Sequence, residues 1–287
     1  MVLKVGLMNM RIGIRAHDLG NLGVEKLAQK AAQLGLTAVQ LALTKSFPEL
    51  NLQVGSLTPG LARYIGNFFQ QYNVQIAVLG CYVNIIHPDL NKRRELLEFF
   101  KEHVRYARDF GSSIVGTETG NVHTKMGYTI DNFKEEAFIE VVKSVRELVE
   151  EGEKFGVIVG IEPGVNHPVY SSKMMKRLLD EIPSNNLQVI FDPANLLTAE
   201  NYIHQNEIFQ EAIELFGDRI VVVHAKDFVI ENGKLVFVPV GKGFLNYHVL
   251  FQLLKYKKPY INILIESTKE PFIKESIEYL KNIYEKV

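Results

Sequence analysis

The sequence predicts a (β/α)8 barrel, and three observations carry that prediction. Short apolar runs alternate with longer helix-period segments from one end to the other. Eight such strand–helix units fit, with none left over. Several runs are apolar almost throughout, as parallel strands covered by helices require. An open doubly wound sheet is the competing architecture, but such sheets seldom use eight evenly spaced units.

The first strand is expected at residues 2–8. The helix after it carries Val24, Leu27, Ala28, Ala31 and Leu34 on one stripe, and Gly35 ends it. Strands two and three are expected at 38–43 and 75–83, with the second helix around 61–69. The third helix starts near Asp89 and sets Leu97, Phe100, Val104 and Ala107 on one face; Gly111 follows as a stop signal. The fourth strand, 114–117, precedes a helix with Phe138, Val141, Val145, Leu148 and Val149 in line, ended by Gly156. The remaining strands are expected at 157–161, 187–191, 220–223 and 261–265. Helices are expected around 174–179, 208–216, 249–254 and 272–284. Residues 228–240 break the rhythm. They read as two short strands joined around Glu231-Asn232-Gly233, and Asn-Gly is a strong hairpin signal.

Length alone, 287 residues, gives a prior of two domains. The unit count instead gives a single barrel domain over residues 1–287. Hydrophobic residues at 47% and charged residues at 23% exclude a wholly disordered chain. Cys81 is the only cysteine, so there is no internal disulfide; it reads as a small buried side chain. A net charge of -1 argues against a nucleic-acid partner. No apolar run reaches 18 residues, so no membrane span is expected. The apolar stretch between Lys4 and Arg11 is too short for a secretion signal, and a cytoplasmic protein is expected.

A barrel of this kind places its active site at the C-terminal ends of its strands. Glu162, Asp192, His224 and Glu266 directly follow the fifth to eighth expected strands. Glu118 follows the fourth, and His87 lies past the third. A charged side chain after an apolar run is expensive unless it is paired or metal-bound. Alternatives exist at each position: Asp192 before Pro193 could cap the next turn, and Glu266 could pair with a lysine. Together, three carboxylates and an imidazole are a ligand set for one divalent cation. They favour Mn2+, with Mg2+, Fe2+, Co2+ and Zn2+ also compatible.

These residues carry a resemblance. The stretches Ile161-Glu162-Pro163, Phe191-Asp192-Pro193-Ala194-Asn195, Val223-His224-Ala225-Lys226-Asp227, Val240-Gly241-Lys242-Gly243 and Leu264-Ile265-Glu266 resemble the xylose-isomerase-like barrel superfamily, in particular its sugar phosphate isomerase/epimerase branch. His87-Pro88-Asp89 and Glu118-Thr119-Gly120 match too. The resemblance implies that Glu162, Asp192, His224 and Glu266 hold one metal and that Glu162 and Glu266 transfer protons. It implies an isomerase or epimerase of a sugar or sugar phosphate, working through a metal-stabilised enediolate. The chemistry is sound in its own terms. A proton α to a carbonyl is weakly acidic, a cation stabilises the anion left behind, and carboxylates move the proton.

His87, Glu118, Asn195, Lys226 and His167 are the candidate substrate contacts. Each has a plainer alternative: a helix-start residue for His87, a buried ion pair for Glu118, a rim lysine for Lys226 and a surface histidine for His167. Gly241-Lys242-Gly243 is a weak phosphate-loop candidate, and an ordinary loop is the stronger reading. His17 has no strand-end context in this reading. The apurinic endonuclease relatives place a histidine where this chain has Asn195, and no basic track is evident, which demotes DNA repair. Epimerase relatives also use a histidine there and an arginine after the metal-binding histidine, so the substrate is less defined than the metal. Two alternatives stay open: an inosose-type dehydratase using the same site, and a non-catalytic sugar-binding barrel. The expected partner is a small sugar or polyol. The hairpin would cover the pocket or contact a second copy in a homo-oligomer.

Overall fold

The computed structural model describes residues 10–287. The strands are β1 (Arg11–Arg15), β2 (Ala38–Leu41), β3 (Gln75–Gly80), β4 (Ile114–Glu118), β5 (Ile158–Glu162), β6 (Leu187–Phe191), β7 (Ile220–Ala225), β8 (Asp227–Glu231), β9 (Lys234–Val238) and β10 (Asn262–Ile265). Eight of them close a parallel barrel in the order β1-β10-β7-β6-β5-β4-β3-β2. The helices are α1 (Val24–Gln33), the short α2 (Leu43–Ser46), α3 (Pro59–Gln71), α4 (Leu90–Tyr106), α5 (Glu135–Phe155), α6 (Ser172–Glu181), α7 (Gln205–Phe216), α8 (Tyr247–Leu254) and α9 (Ile273–Glu285). None of the described helices is long and apolar enough to cross a membrane.

The expected α/β barrel is present, with one displacement. The run at 2–8 lies outside the described residues, and the first barrel strand is Arg11–Arg15. Its sequence, Arg-Ile-Gly-Ile-Arg, hides a strand behind two arginines and a glycine. Ile12 and Ile14 join the core between strands and helices. Gly13 faces the barrel interior, where no side chain fits: a Cβ there would meet the Ala38 carbonyl oxygen and stand 2.5 Å from Leu264 Cδ2.

Two apolar layers result. Outside the barrel, helix stripes such as Leu27, Ala28 and Ala31 of α1 and Val141, Val145 and Leu148 of α5 pack on the strands. Inside lies a small cluster that includes Ala38, Val78, Ile114, Ile190, Val222 and Leu264. Gly116 and Gly160 leave room for it: a Cβ at either position would press on Ile190. This is the filled interior of a closed barrel rather than a pore.

After β7 the chain forms the antiparallel hairpin β8–β9, with Glu231 opposite Lys234. Asn232 (φ 50°) and Gly233 (φ 71°) are both left-handed. A tight two-residue turn needs that backbone, which is why Asn-Gly marked it in the sequence.

Gly13→Ala should lower stability by about 1–3 kcal/mol, since the backbone oxygen it meets cannot move aside as a side chain can. Urea unfolding would measure it. A change below about 0.5 kcal/mol, the usual range for an uninvolved surface site, would contradict this packing.

Candidate metal centre

Alternation along a strand repeats every two residues, so the residue two positions beyond an inward one also points inward. Gly160, Ile190, Val222 and Leu264 fill or border the interior. Two positions on stand Glu162, Asp192, His224 and Glu266. The same step from Gly13 and Ala38 reaches Arg15 and Gln40, and from Gly116 reaches Glu118. The pleat therefore sets a ring of polar side chains on the apolar interior. Glu162 and Glu118 are the last residues of β5 and β4, and they pair in register. His224 lies within β7 rather than after it.

Glu162, Asp192, His224 and Glu266 each offer one ligand atom, and all four atoms lie within 4.8 Å of one another. All four residues are buried, Asp192 and His224 completely. His224 Nδ1 is 3.3 Å from Glu162 Oε2 and 3.1 Å from Glu266 Oε2. Burial alone would lower the imidazole pKa, but these two carboxylates outweigh it and raise it to about 10. Asp192 moves up to about 6, chiefly through burial, and Lys226 partly offsets the rise. Glu266 is held well below the ordinary carboxylate range: burial raises it, and Lys226, His224 and Arg15 more than reverse that.

Two atoms test whether a metal fits. Asp192 Oδ2 and His224 Nδ1 are both buried without a hydrogen-bond partner. Both lie in ion-pair range of charged neighbours, Oδ2 at 2.8 Å from Lys226 Nζ and Nδ1 between Glu162 and Glu266. Their partner atoms are fully engaged elsewhere. Asp192 Oδ1 accepts from the Ala194 and Asn195 amides at 2.9 and 3.2 Å, which is the cap that Asp192 before Pro193 had offered. His224 Nε2 donates to Gln40 Oε1 at 2.7 Å, so Nδ1 is the nitrogen that would face a cation, giving up its proton on binding. Unpartnered buried atoms are rare in folded proteins. Converging carboxylate and imidazole atoms of this kind suit a divalent cation, so the donor set fits.

Surrounding groups hold the donors in place. Glu162 accepts from Asn195 Nδ2 at 2.7 Å and from the Tyr82 hydroxyl at 3.1 Å. Burial and nearby carboxylates, Glu162 first, push the Tyr82 phenol well up, so it remains a donor. Arg15 grips Asp18 through two nitrogens and donates to Glu266 Oε1 at 2.6 Å. Lys226 Nζ lies 2.8 Å from Asp192 Oδ2, 3.0 Å from Glu266 Oε1 and 2.9 Å from Asn195 Oδ1. It is almost fully buried rather than a rim lysine.

Arg15, Gln40 and Tyr82 were not legible as site residues. Arg15 followed from a strand that the apolar pattern misplaced. Gln40 carried a signal, a lone amide inside the apolar run Ala38-Val39-Gln40-Leu41. His17 lies two residues past β1, so it does have strand-end context; its Nδ1 is buried without a partner.

A cavity of about 740 Å3 is lined by Glu118, His167, Asn195 and Lys226, with Leu235 and Phe237 of the hairpin on one side. The hairpin thus borders the pocket, and Lys226 Nζ stands 4.7 Å from the Phe237 ring centroid. His167 Nδ1 donates to the Gly120 carbonyl at 2.9 Å, and its other nitrogen lies 3.5 Å from Glu118. Burial opposes charge on both; their mutual attraction prevails, lowering Glu118 and raising His167. His87 is not brought to this cavity. Its Nδ1 accepts from the Asp89 amide at the start of α4, seven residues past β3. Asp227 accepts the Gly241 and Gly243 amides at 2.9 and 3.1 Å, so that glycine loop cradles the protein's own carboxylate rather than a phosphate.

The family described as xylose isomerase-like TIM barrel matches residues 28–283, and the chain belongs to that family. No curated protein matches it significantly by sequence. Among solved structures it resembles a D-tagatose 3-epimerase-like protein, at 20% identity and TM-score 0.74, covering 97% of this chain and 98% of that one. It also resembles IolI with a bound zinc atom, at 16% identity and TM-score 0.75, covering 96% and 99%. A third likeness is to AsbF of Bacillus anthracis, a probable 3-DHS dehydratase, at 16% identity and TM-score 0.72, covering 95% and 99%. At these identities the likenesses establish the fold.

Gln40→Ala should weaken Mn2+ binding about 10–100-fold, the usual effect of removing a partner behind a metal-ligating histidine. Calorimetry on a variant with native circular dichroism would test it; undiminished affinity would show that Gln40 does not orient His224.

Proposed function

We propose that this protein is a divalent-metal-dependent isomerase or epimerase acting on a sugar or sugar phosphate. The observation that carries this reading is the pair of unpartnered buried atoms, Asp192 Oδ2 and His224 Nδ1, beside two further carboxylates. Glu162, Asp192, His224 and Glu266 would hold the cation, for which Mn2+ is our first choice. When bound, the cation supplies Lewis-acid polarisation of a substrate carbonyl.

Glu162 and Glu266 are the proton-transfer groups in this reading. One takes the proton α to the carbonyl, and the other, or the same one, returns it. Return to the opposite face inverts a centre, and return to the adjacent carbon interconverts aldose and ketose. Tyr82 and Asn195 fix the two oxygens of Glu162, and Arg15 fixes Glu266. Lys226 lies between the cluster and the cavity, where its charge can meet an oxygen that gains electron density. Glu118, His167 and Asn195 line the cavity and supply partners for substrate hydroxyls. We do not extend the substrate role to His87, whose hydrogen bonds serve the α4 turn.

The test is solvent-deuterium exchange into a panel of ketoses, ketose phosphates and inososes with Mn2+ present. Exchange with an intact carbon skeleton is expected, and chelation of the metal should abolish it. Glu162→Gln and Glu266→Gln should each slow it about 10^2–10^4-fold, the range for lost general acid–base catalysis. Loss of water to an enone would assign the dehydratase reaction instead. No exchange with any of these sugars would support a binding protein and refute the isomerase.

A further inference from the structure

The 740 Å3 cavity has a neighbour. A second cavity of about 630 Å3 shares Tyr128, Val165, Thr198 and Glu200 with it as walls. The loops after β4, β5 and β6, with Ile208 and Glu211 of α7, line this second cavity, and no residue of the metal cluster does. Each cavity falls within the roughly 300–1,000 Å3 range of sites for drug-sized ligands, which are larger than one sugar ring. The two together have room for a substrate of more than one ring.

The chemistry of the outer cavity is specific. Tyr128 packs edge-on to Phe133 with centroids 5.7 Å apart, and Phe133 packs edge-on to Tyr170 at 4.9 Å. These contacts hold three rings in fixed orientations along one wall. Tyr128 is 71% exposed, so its ring is open to a ligand. Glu200 stands beside them, exposed, hydrogen-bonded to Thr198 and without an ion pair among the described residues. An aromatic face packs against the C–H face of a sugar ring, and an unpaired carboxylate accepts from neighbouring hydroxyls. A sugar ring uses both features at once, its C–H face on the rings and its hydroxyls on the carboxylate.

We propose that the substrate is a glycoside. Its reacting sugar occupies the cavity beside Lys226 and Asn195. A second sugar ring, joined through a glycosidic oxygen, lies along Tyr128, Phe133 and Tyr170 with its hydroxyls on Glu200. This assignment rests on the sugar reading given under the proposed function.

The experiment compares the Mn2+-loaded protein's binding of lactulose, maltulose and isomaltulose with its binding of fructose, by calorimetry and ligand-observed NMR. At least one of the three should bind tenfold or more tighter than fructose. Glu200→Gln, a change on the surface that leaves packing alone, and Tyr170→Ala should each reduce that advantage to less than threefold. Equal binding, binding of none of the three disaccharides, or an advantage that survives both substitutions would overturn the proposal. Solvent-deuterium exchange in the same samples separates the two readings. A disaccharide advantage without exchange refutes the isomerase and supports the second-ring subsite. Exchange without a disaccharide advantage refutes the subsite and supports the isomerase.

Discussion

The site depends on burying three carboxylates and an imidazole at the end of an apolar barrel. Taken singly, each of these groups would be costly to remove from water. The structure sets them against one another and against two cations. Arg15 is tied to Asp18 and Glu266. Lys226 touches Asp192, Glu266 and Asn195. Asp192 Oδ2 and His224 Nδ1 remain without a hydrogen bond, although Lys226 Nζ stands 2.8 Å from that oxygen.

The junction of β7 and β8 shows how closely the site and the fold are joined. In His224-Ala225-Lys226-Asp227, His224 faces the cluster and Ala225 packs in the outer core. Lys226 returns to the cluster. Asp227 then accepts four backbone amides, from Phe228, Gly241, Gly243 and Leu245, and so ties down the chain on both sides of the hairpin. The hairpin in turn brings Phe237 over Lys226. Four consecutive residues thus serve the metal site, the core, the charge balance and the pocket wall.

Much of this was legible in the sequence, and the misses have physical causes. Apolar runs located seven of the eight barrel strands, because parallel strands buried on both faces cannot be polar. The first escaped because Gly13 must be small to admit Leu264 and because Arg15 ends the strand at the site. That one displacement hid Arg15 and took away the strand-end context of His17. Tyr82 was missed because an aromatic residue after a strand resembles ordinary core. At Asp192 and Glu266 the plainer readings are present without closing off the proposed one. Asp192 caps a turn with one oxygen and offers the other; Glu266 pairs with Lys226 and still faces His224. His87 follows a strand in sequence, but six residues of loop separate it from the strand end, and it does not line the cavity.

The central claim is that these four side chains hold one divalent cation. Anomalous diffraction from crystals grown with Mn2+ tests it most directly. The account predicts one strong peak bounded by Asp192 Oδ2, His224 Nδ1 and an oxygen from each of Glu162 and Glu266. A map with no peak among these atoms, in a crystal where Mn2+ binds elsewhere on the chain, would contradict it.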